Sequence, residues 1–532
     1  MPNIDSILRD HVTLQVESID RIYLNGYLPG LQRSGQLVYF LTTHRKNPIP
    51  SPALLGQITR RFVEAIHAFA ERAGIPIVEF KPGERKDDVA KARLARFRGK
   101  EGVVFIGVAQ EADRAFRSVK KRGRGGRVDF DFYRAKVFVN HYYFYILDRD
   151  FGPGFIKFSS YAPFAVRVCL NGHEWAKCQL ANRGIGFEAL DNGFLSCAEP
   201  ATLQRLCDEL CAKDVEKFFR RWLARLPHPL SRQDRAAGYR YQLSIWQMEM
   251  SLTHVFDRPL HGRQLFEELL RENLDLGRPD RIQILFGRRV QRNTPSSFRT
   301  RVVQYGVLPK LSVEYKHSRL KQYFKEGRAL RTETVINNPY DVGCRRALSN
   351  LGYLRTIGRN INHRLLALER TSHNCIISSR TFQSVVLPSD ADGQHAPGLR
   401  FGDPRVMAAL AALCLFLPTP DGFSNRMLRE RVAALHDPGP KPYSAGRMTY
   451  DLRRLRLKGL IQRLPAKHRY VLTPVGRRVA LFFSKTYARI LRPGLARLDP
   501  NLAPNPADLL ADAWRRLDVA VDRLIQEANI AA

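Results

Sequence analysis

Asp403-Pro-Arg-Val-Met-Ala-Ala-Leu-Ala-Ala-Leu-Cys-Leu-Phe-Leu-Pro418 opens the part of the chain whose reading decides the fold. An aspartate able to accept from free backbone N–H groups precedes a proline that has none to lose. Val406, Met407, Leu410, Leu413, Cys414 and Leu417 then fall on one face before Pro418 stops the helix. Ser424 caps a second helix with Leu428, Val432 and Leu435 as its inward stripe. Ser444 starts a third, with Met448, Leu452 and Leu455 inward, and Lys458-Gly459 closes it with a residue suited to the left-handed position. Opposite that stripe lie Arg447, Tyr450, Arg453 and Arg454. A short strand (Leu460 to Leu464), a turn (Pro465-Ala-Lys-His468), a returning strand (Arg469 to Leu472) and a helix from Thr473-Pro474 to about Leu491 complete the pattern.

Three helices and a basic-tipped hairpin predict a winged helix. The run Thr449-Tyr-Asp-Leu-Arg-Arg-Leu-Arg-Leu-Lys-Gly-Leu-Ile461, followed by His468-Arg-Tyr-Val-Leu-Thr-Pro-Val-Gly476, resembles the recognition helix and wing of bacterial winged-helix regulators. The resemblance implies DNA binding, with Arg447, Tyr450, Arg453 and Arg454 in the major groove and Lys467, His468 and Arg469 on the neighbouring backbone. Asn171-Gly-His-Glu-Trp-Ala-Lys177 and Lys325-Glu-Gly-Arg-Ala-Leu-Arg-Thr-Glu333 resemble uncharacterised bacterial proteins, and that likeness implies no activity.

Bulk properties agree with a polyanionic partner. Lys plus Arg number 86 against 51 acids, a formal charge of +35, which self-repels unless counter-charge is supplied. Nucleic acid, DNA favoured over RNA, is the expected source. A membrane is not, because the chain has neither an apolar run of about eighteen residues nor a lipidation motif. The N-terminus has no signal-peptide pattern and eight cysteines are few for this length, so the expected compartment is the cytoplasm. Cys169, Cys178, Cys197, Cys207 and Cys211 lie near His173 in sequence, but with no Cys-x2-Cys spacing they read as core fillers, not zinc ligands.

A length of 532 residues predicts several domains, and the expected class is α/β and α+β multidomain, with a mixed sheet and helical middle body. Residues 1–128 read as an α/β domain with strands Val12 to Val16, Leu37 to Thr42, Pro76 to Phe80 and Gly102 to Val108, and a long helix Pro52 to Ala73. It ends in Lys120-Lys-Arg-Gly-Arg-Gly-Gly-Arg127, a flexible basic loop in which Lys120, Lys121, Arg122 and Arg124 could contact phosphates.

Residues 129–199 read as strands Val137 to Leu147, Phe155 to Tyr161 and Phe164 to Leu170, a helix His173 to Asn182, and a strand Ile185 to Leu190. This order, with an acid on the first strand, a Gly-Pro-Gly turn behind it, an acid on the helix and one after the next strand, resembles the ribonuclease H-like core. The resemblance implies that Asp148, Glu174 and Asp191 hold Mg²⁺ or Mn²⁺ for nuclease or strand-transfer chemistry. Turn acids and a helix-dipole role are the plainer readings of the same residues.

Residues 200–280 read as helical, including Ala236 to Val255, with Trp222 and Trp246 as core anchors. Residues 281–387 read as basic and β-rich, with strands Arg281 to Phe286, Phe298 to Gln304, Leu311 to Tyr315 and Ala329 to Ile336. There Tyr315, Tyr323 and Phe324 interleave with Lys316, Arg319, Lys321, Lys325, Arg328 and Arg331, a composition suited to stacking bases and neutralising phosphates. Residues 388–402 read as a linker, 403–492 as the winged helix, and 493–532 as a tail with an amphipathic helix, Ala507 to Ala528, which could dock on the body or on a second copy. The expected function is DNA binding, regulatory or mobile-element associated. The alternative is a metal-dependent nuclease or strand-transfer enzyme.

Overall fold

Buried and half-exposed side chains alternate along Val12–Tyr27, which forms β1, a sixteen-residue strand at the centre of a large sheet. The computed structural model describes residues 4–491 except 82, 123–127, 274–275, 292, 306–307, 374–376, 378, 392, 418–421, 436–442 and 466–467, and also 513–514, 516–517 and 519–520. Two compact units result: Ile7–His363, and Arg364–Ala532 with Met1–Ser6. No helix among the described residues is long and apolar enough to cross a membrane.

In the first unit the remaining strands are β2 (Ile77–Glu79), β3 (Gly102–Arg122), β4 (Val128–Asp148), β5 (Gly152–Ser159), β6 (Val166–Asn171), β7 (Phe187–Leu190), β8 (Gly193–Cys197), β9 (Gln242–Phe256), β10 (Thr300–Tyr305), β11 (Leu308–Tyr315), β12 (Ser318–Lys325) and β13 (Ala329–Ile336). Eleven of the strands make one sheet in the order β10-β11-β12-β13-β9-β1-β6-β5-β4-β3-β2, while β7 and β8 pair only with each other. Neighbours are antiparallel except β2, which runs parallel to β3. The sheet thus runs across the boundaries expected near 128, 199 and 280.

One sheet face is apolar. Ile22, Leu24, Phe144, Ile156, Phe158, Val168 and Met248 are all buried. Helix Pro52–Arg72 covers part of this face, setting Phe62 against Phe158 and Phe69 against Phe144 at centroid distances of 5.6 and 6.3 Å. Helix Leu351–His373 covers another part, and its Gly358 lets it approach closely: a Cβ there would meet Met250 Cβ at 2.6 Å. The opposite face carries polar and aromatic side chains, among them Tyr143, Lys157, Arg167, Tyr23, Glu249 and Lys321.

Several elements differ from expectation. Leu37 to Thr42 is not a strand but helix Ser34–Tyr39 running into a wider turn, Phe40–His44. Buried Leu37, Phe40 and Leu41 sit at i, i+3 and i+4, the helical period. Arg281 to Phe286 lies within helix Pro279–Phe286, with Pro279 in the first turn and Ile282, Leu285 and Phe286 buried at the same spacing. Ala236 to Val255 is mostly β9, whose second half is buried on both faces and so shows no strand alternation in sequence.

In the second unit Asp403 caps helix Pro404–Cys414 by accepting from the N–H groups of Arg405 and Val406. Helix Asn425–Leu435 follows, then Ala445–Leu457, capped by Ser444. Gly459 adopts φ +68 just beyond it, as its position required. Ile461–Arg463 pairs with Tyr470–Leu472, Phe423 bridges to Tyr470, and Thr473 caps helix Pro474–Thr486. Met448, Leu452 and Leu455 are buried with Leu410, Leu413, Leu428 and Val432 in one core. The expected linker instead contains a small hairpin, Ser389–Ala391 with Gln394–Ala396. Most of the expected tail helix lies outside the described residues.

Candidate nucleic-acid interface and buried acidic centre

Three adjacent strands, β1, β9 and β13, each bring a carboxylate to one place on the polar face. Asp20, Glu249 and Glu333 each offer an oxygen within 4.8 Å of the others. An irregularity in the β1–β9 register between Ile19 and Ile22 brackets Asp20. Arg331, 1% exposed, stands at the centre: Nη1 lies 3.4 Å from Asp20 Oδ2, Nε donates to Thr253 Oγ1 at 3.2 Å, and Nη2 donates to His173 Nε2 at 2.6 Å. Lys321 pairs with Glu333, and the Tyr323 hydroxyl donates to the other Glu333 oxygen at 2.9 Å. Asn192 donates to Asp20 at 2.6 Å and Gln247 to Glu249 at 2.7 Å.

Burial and Arg331 push the His173 pKa down to about 3, so its ring stays neutral and accepts from the guanidinium. Burial opposes the Asp20 charge, but Arg331, His173, Asn192 and Arg21 together outweigh it and hold that carboxyl below its usual range. Glu249 goes the other way: burial, then the charge of Glu333, push it from 4.5 up to about 7. Three carboxylates this close could hold a divalent ion. Arg331 and Lys321 already sit on two of them, however, and Arg21 lies within electrostatic reach of Asp20 and Glu249, so the charge closes within the protein.

The raised Glu249 pKa sets a pH dependence. A folded-state pKa above the unfolded value means that the native state binds the proton more tightly, so stability falls as pH rises through the interval. The contribution of Glu249 is fully present below 4.5 and is lost by about pH 7. Denaturant unfolding on either side of that window should show wild type losing stability with pH, and Glu249→Gln losing less. Equal slopes would mean that Glu249 titrates normally.

The acids expected to form a catalytic site are not brought together. Asp148, at the end of β4, is buried; Arg221 pairs with it, Trp222 Nε1 donates to Oδ2 at 2.6 Å, and the N–H groups of Asp150 and Phe151 donate to Oδ1 at 2.9 and 3.0 Å. Glu174 pairs with Lys177 at 2.6 Å, and Asp191 with Lys91 at 2.8 Å. Among the described residues the groups able to share an ion are His11, Asp257 and His261, and Asp20, Glu249 and Glu333. The strand after the helix, β7, does not join the large sheet as a ribonuclease H-like core would need. Asp20, Glu249 and Glu333 escaped notice because they come from three strands far apart in sequence, and Glu249 and Glu333 are lone acids in theirs. Their signal was an acid flanked by residues that fold inward, as in Met248-Glu-Met250.

The basic middle block is mostly turned inward. Tyr315 is buried and stacked on Phe286 at 4.9 Å, Phe324 is buried, and Lys325 pairs with Glu326 at 3.2 Å. With Arg331 and Lys321 engaged by acids and Arg328 half-buried, only Lys316 and Arg319 of the six expected cations are exposed. Trp246, expected in the core, is 36% exposed, with the Arg167 guanidinium 3.9 Å from its ring centroid and Tyr23 edge-on at 6.2 Å. Trp222 is buried as expected.

Cations are exposed elsewhere. Lys120, Lys121 and Arg122 end β3 and are not part of a loop; β3 and β4 continue as a two-stranded ribbon past the positions where β2 and β5 stop pairing. Arg117, Lys136, Tyr133 and Phe138, the last 73% exposed, stand on the same ribbon, and Lys121 pairs with Asp131. Arg124 lies outside the described residues. A groove of about 1600 Å³ beside helix Ala212–Arg225 is lined by Lys213, Arg220, Arg232, Arg235 and Arg240 against a single acid, Glu216. Sequence reading missed it because these cations come from separate elements.

In the second unit Arg447, Tyr450 and Arg453 are exposed on helix Ala445–Leu457, while Arg454 is 7% exposed and bonded to the Gly398 carbonyl and Asp451. Asp451 also accepts from Arg405 at 2.9 Å and from Tyr443, so Arg454 belongs to a clamp between helices. Arg453 reaches Gln394 at 3.3 Å and Arg456 is exposed one turn on. His468 is exposed and bonded to Arg463 at 3.0 Å, Arg469 donates to the Gly422 carbonyl at 2.6 Å, and Lys467 lies outside the described residues. No family model, curated protein or solved structure matches the chain.

Proposed function

We propose that the protein binds duplex DNA through a winged helix formed by residues 403–491. The observation that carries this reading is helix Ala445–Leu457: Met448, Leu452 and Leu455 are buried while Arg447, Tyr450 and Arg453, at steps of three, are exposed. A helix with one face free, followed by a short hairpin, can enter the major groove while the hairpin tip reaches the backbone. Arg447, Tyr450 and Arg453 are assigned to base edges and His468 to phosphate. Arg454 is left out because it holds Asp451. The net charge of +35 supports a long phosphate contact, and the groove of five cations and the β3–β4 ribbon are better placed for it than the middle block. Metal-dependent cleavage by Asp148, Glu174 and Asp191 is not proposed, since each has its own cation.

The test is fluorescence anisotropy of the full-length protein with labelled duplexes over a salt series. An arginine paired to a guanine edge contributes about 1–3 kcal/mol, so Arg453→Ala should weaken binding to a selected sequence by about five- to 150-fold and binding to random sequence much less. Arg454→Ala should change stability before it changes specificity. Salt-insensitive binding, or none at all, overturns the reading.

A further inference from the structure

A second cluster lies away from these surfaces, where β9 ends and β1 begins. Val12 pairs with Phe256, and the Asp257 N–H donates to the His11 carbonyl at 2.9 Å, which fixes the two backbones side by side. Helix Pro259–Glu272 starts immediately afterwards, so His261 stands one turn from Asp257. His11 Nδ1 lies 3.0 Å from one Asp257 oxygen and His261 Nδ1 lies 2.8 Å from the other. The imidazole centroids are 3.7 Å apart. Two ring nitrogens and a carboxylate oxygen thus lie within 4.8 Å of one another, on side chains a quarter to a third exposed.

We propose that His11, Asp257 and His261 bind a divalent transition-metal ion, Zn²⁺ being the natural occupant. Two imidazoles and one carboxylate are the donor set that suits Zn²⁺, Co²⁺, Ni²⁺ or Cu²⁺, whereas Mg²⁺ and Ca²⁺ take oxygen. At zinc bond lengths of about 2.0–2.2 Å the edges of a tetrahedron are about 3.3 Å, so the two nitrogen–oxygen distances of 3.0 and 2.8 Å would lengthen by a few tenths of an ångström around an ion. Water would complete the coordination on the exposed side. With an ion bound, both Nδ1 atoms donate lone pairs to it, and their hydrogen bonds to Asp257 give way to coordination. The ion would fasten residue 11 to Asp257, 246 residues further along the chain, and to the helix that follows it, so its effect should be on stability.

The experiment uses full-length protein stripped with a chelator and dialysed. Titration with Co²⁺ should give the visible d–d absorption of nitrogen and oxygen ligation in a stoichiometry of one. Zn²⁺ should displace the Co²⁺ and raise the melting temperature, and Mg²⁺ should do neither. His11→Gln and His261→Gln, each checked for wild-type circular dichroism, should lose affinity by about 100-fold. If one of them does not fold, the other decides. Wild-type protein that takes up no Co²⁺, or variants that bind it as wild type does, overturns the site.

Discussion

Arg331→Ala is expected to cost about 3–5 kcal/mol, the effect of removing one partner from a buried charge pair. Arg331 is among the most buried large side chains of the protein, and its guanidinium contacts Asp20, Thr253 and His173 from three directions. Taking it away leaves Asp20, which is 2% exposed, with the amide of Asn192 and the charge of Arg21 but without its ion-pair partner, and leaves the neutral His173 without the guanidinium N–H. It also opens a cavity over β9, across which Arg331 reaches from β13 to β1, and desolvation then pushes Asp20 toward its protonated form. The unfolding midpoint in urea should fall sharply for Arg331→Ala. Asp20→Asn combined with Arg331→Met should recover much of the loss, because the pair is then replaced by groups that need no counter-charge. A loss no larger than that of an exposed arginine such as Arg319 would show that Asp20 already folds neutral.

This centre also shows where sequence reading stops. The second unit was legible in detail because its signals are local: Asp403, Ser444 and Thr473 cap where caps were expected, and Gly459 takes the left-handed position. The large sheet was not. Its order places β13 beside β9 and β9 beside β1, pairing Ala329 with Val255 and Val12 with Phe256, long-range partners that no local period records. Where strands are buried on both faces, as in β9 and β13, alternation vanishes and a helix is as good a reading. The same topology reassigns the charges. Arg331, Lys321 and Lys325 looked like phosphate contacts while their acids were out of sight, and the register put Glu333 directly opposite Lys321. Composition identified an excess of cations; only pairing decided which of them remain exposed.

Asp148→Ala should be comparably damaging, about 3–5 kcal/mol, and its reason separates a structural acid from a catalytic one. Asp148 closes β4 by accepting two backbone N–H groups of the turn that begins β5, and it receives the indole N–H of Trp222 and the guanidinium of Arg221 from helix Ala212–Arg225. Alanine would strand the buried indole N–H and release the turn, while Arg221 would keep Asp150 at 2.9 Å. Asparagine retains one acceptor and the shape, so Asp148→Asn should cost less, about 1.5–3 kcal/mol, the range for a hydrogen bond to a charged group. The two substitutions should rank in this order in urea unfolding with Mg²⁺ present or absent, because the positive charge beside Asp148 is the side chain of Arg221. A metal-binding acid would behave differently: Mg²⁺ would raise the melting temperature of the wild type, and both variants would abolish that rise equally whatever their shape. Observation of that pattern would return Asp148 to the chemistry its sequence position first suggested. A graded, metal-independent loss would fix it as the pin that joins the β4–β5 turn to the helix beside the basic groove.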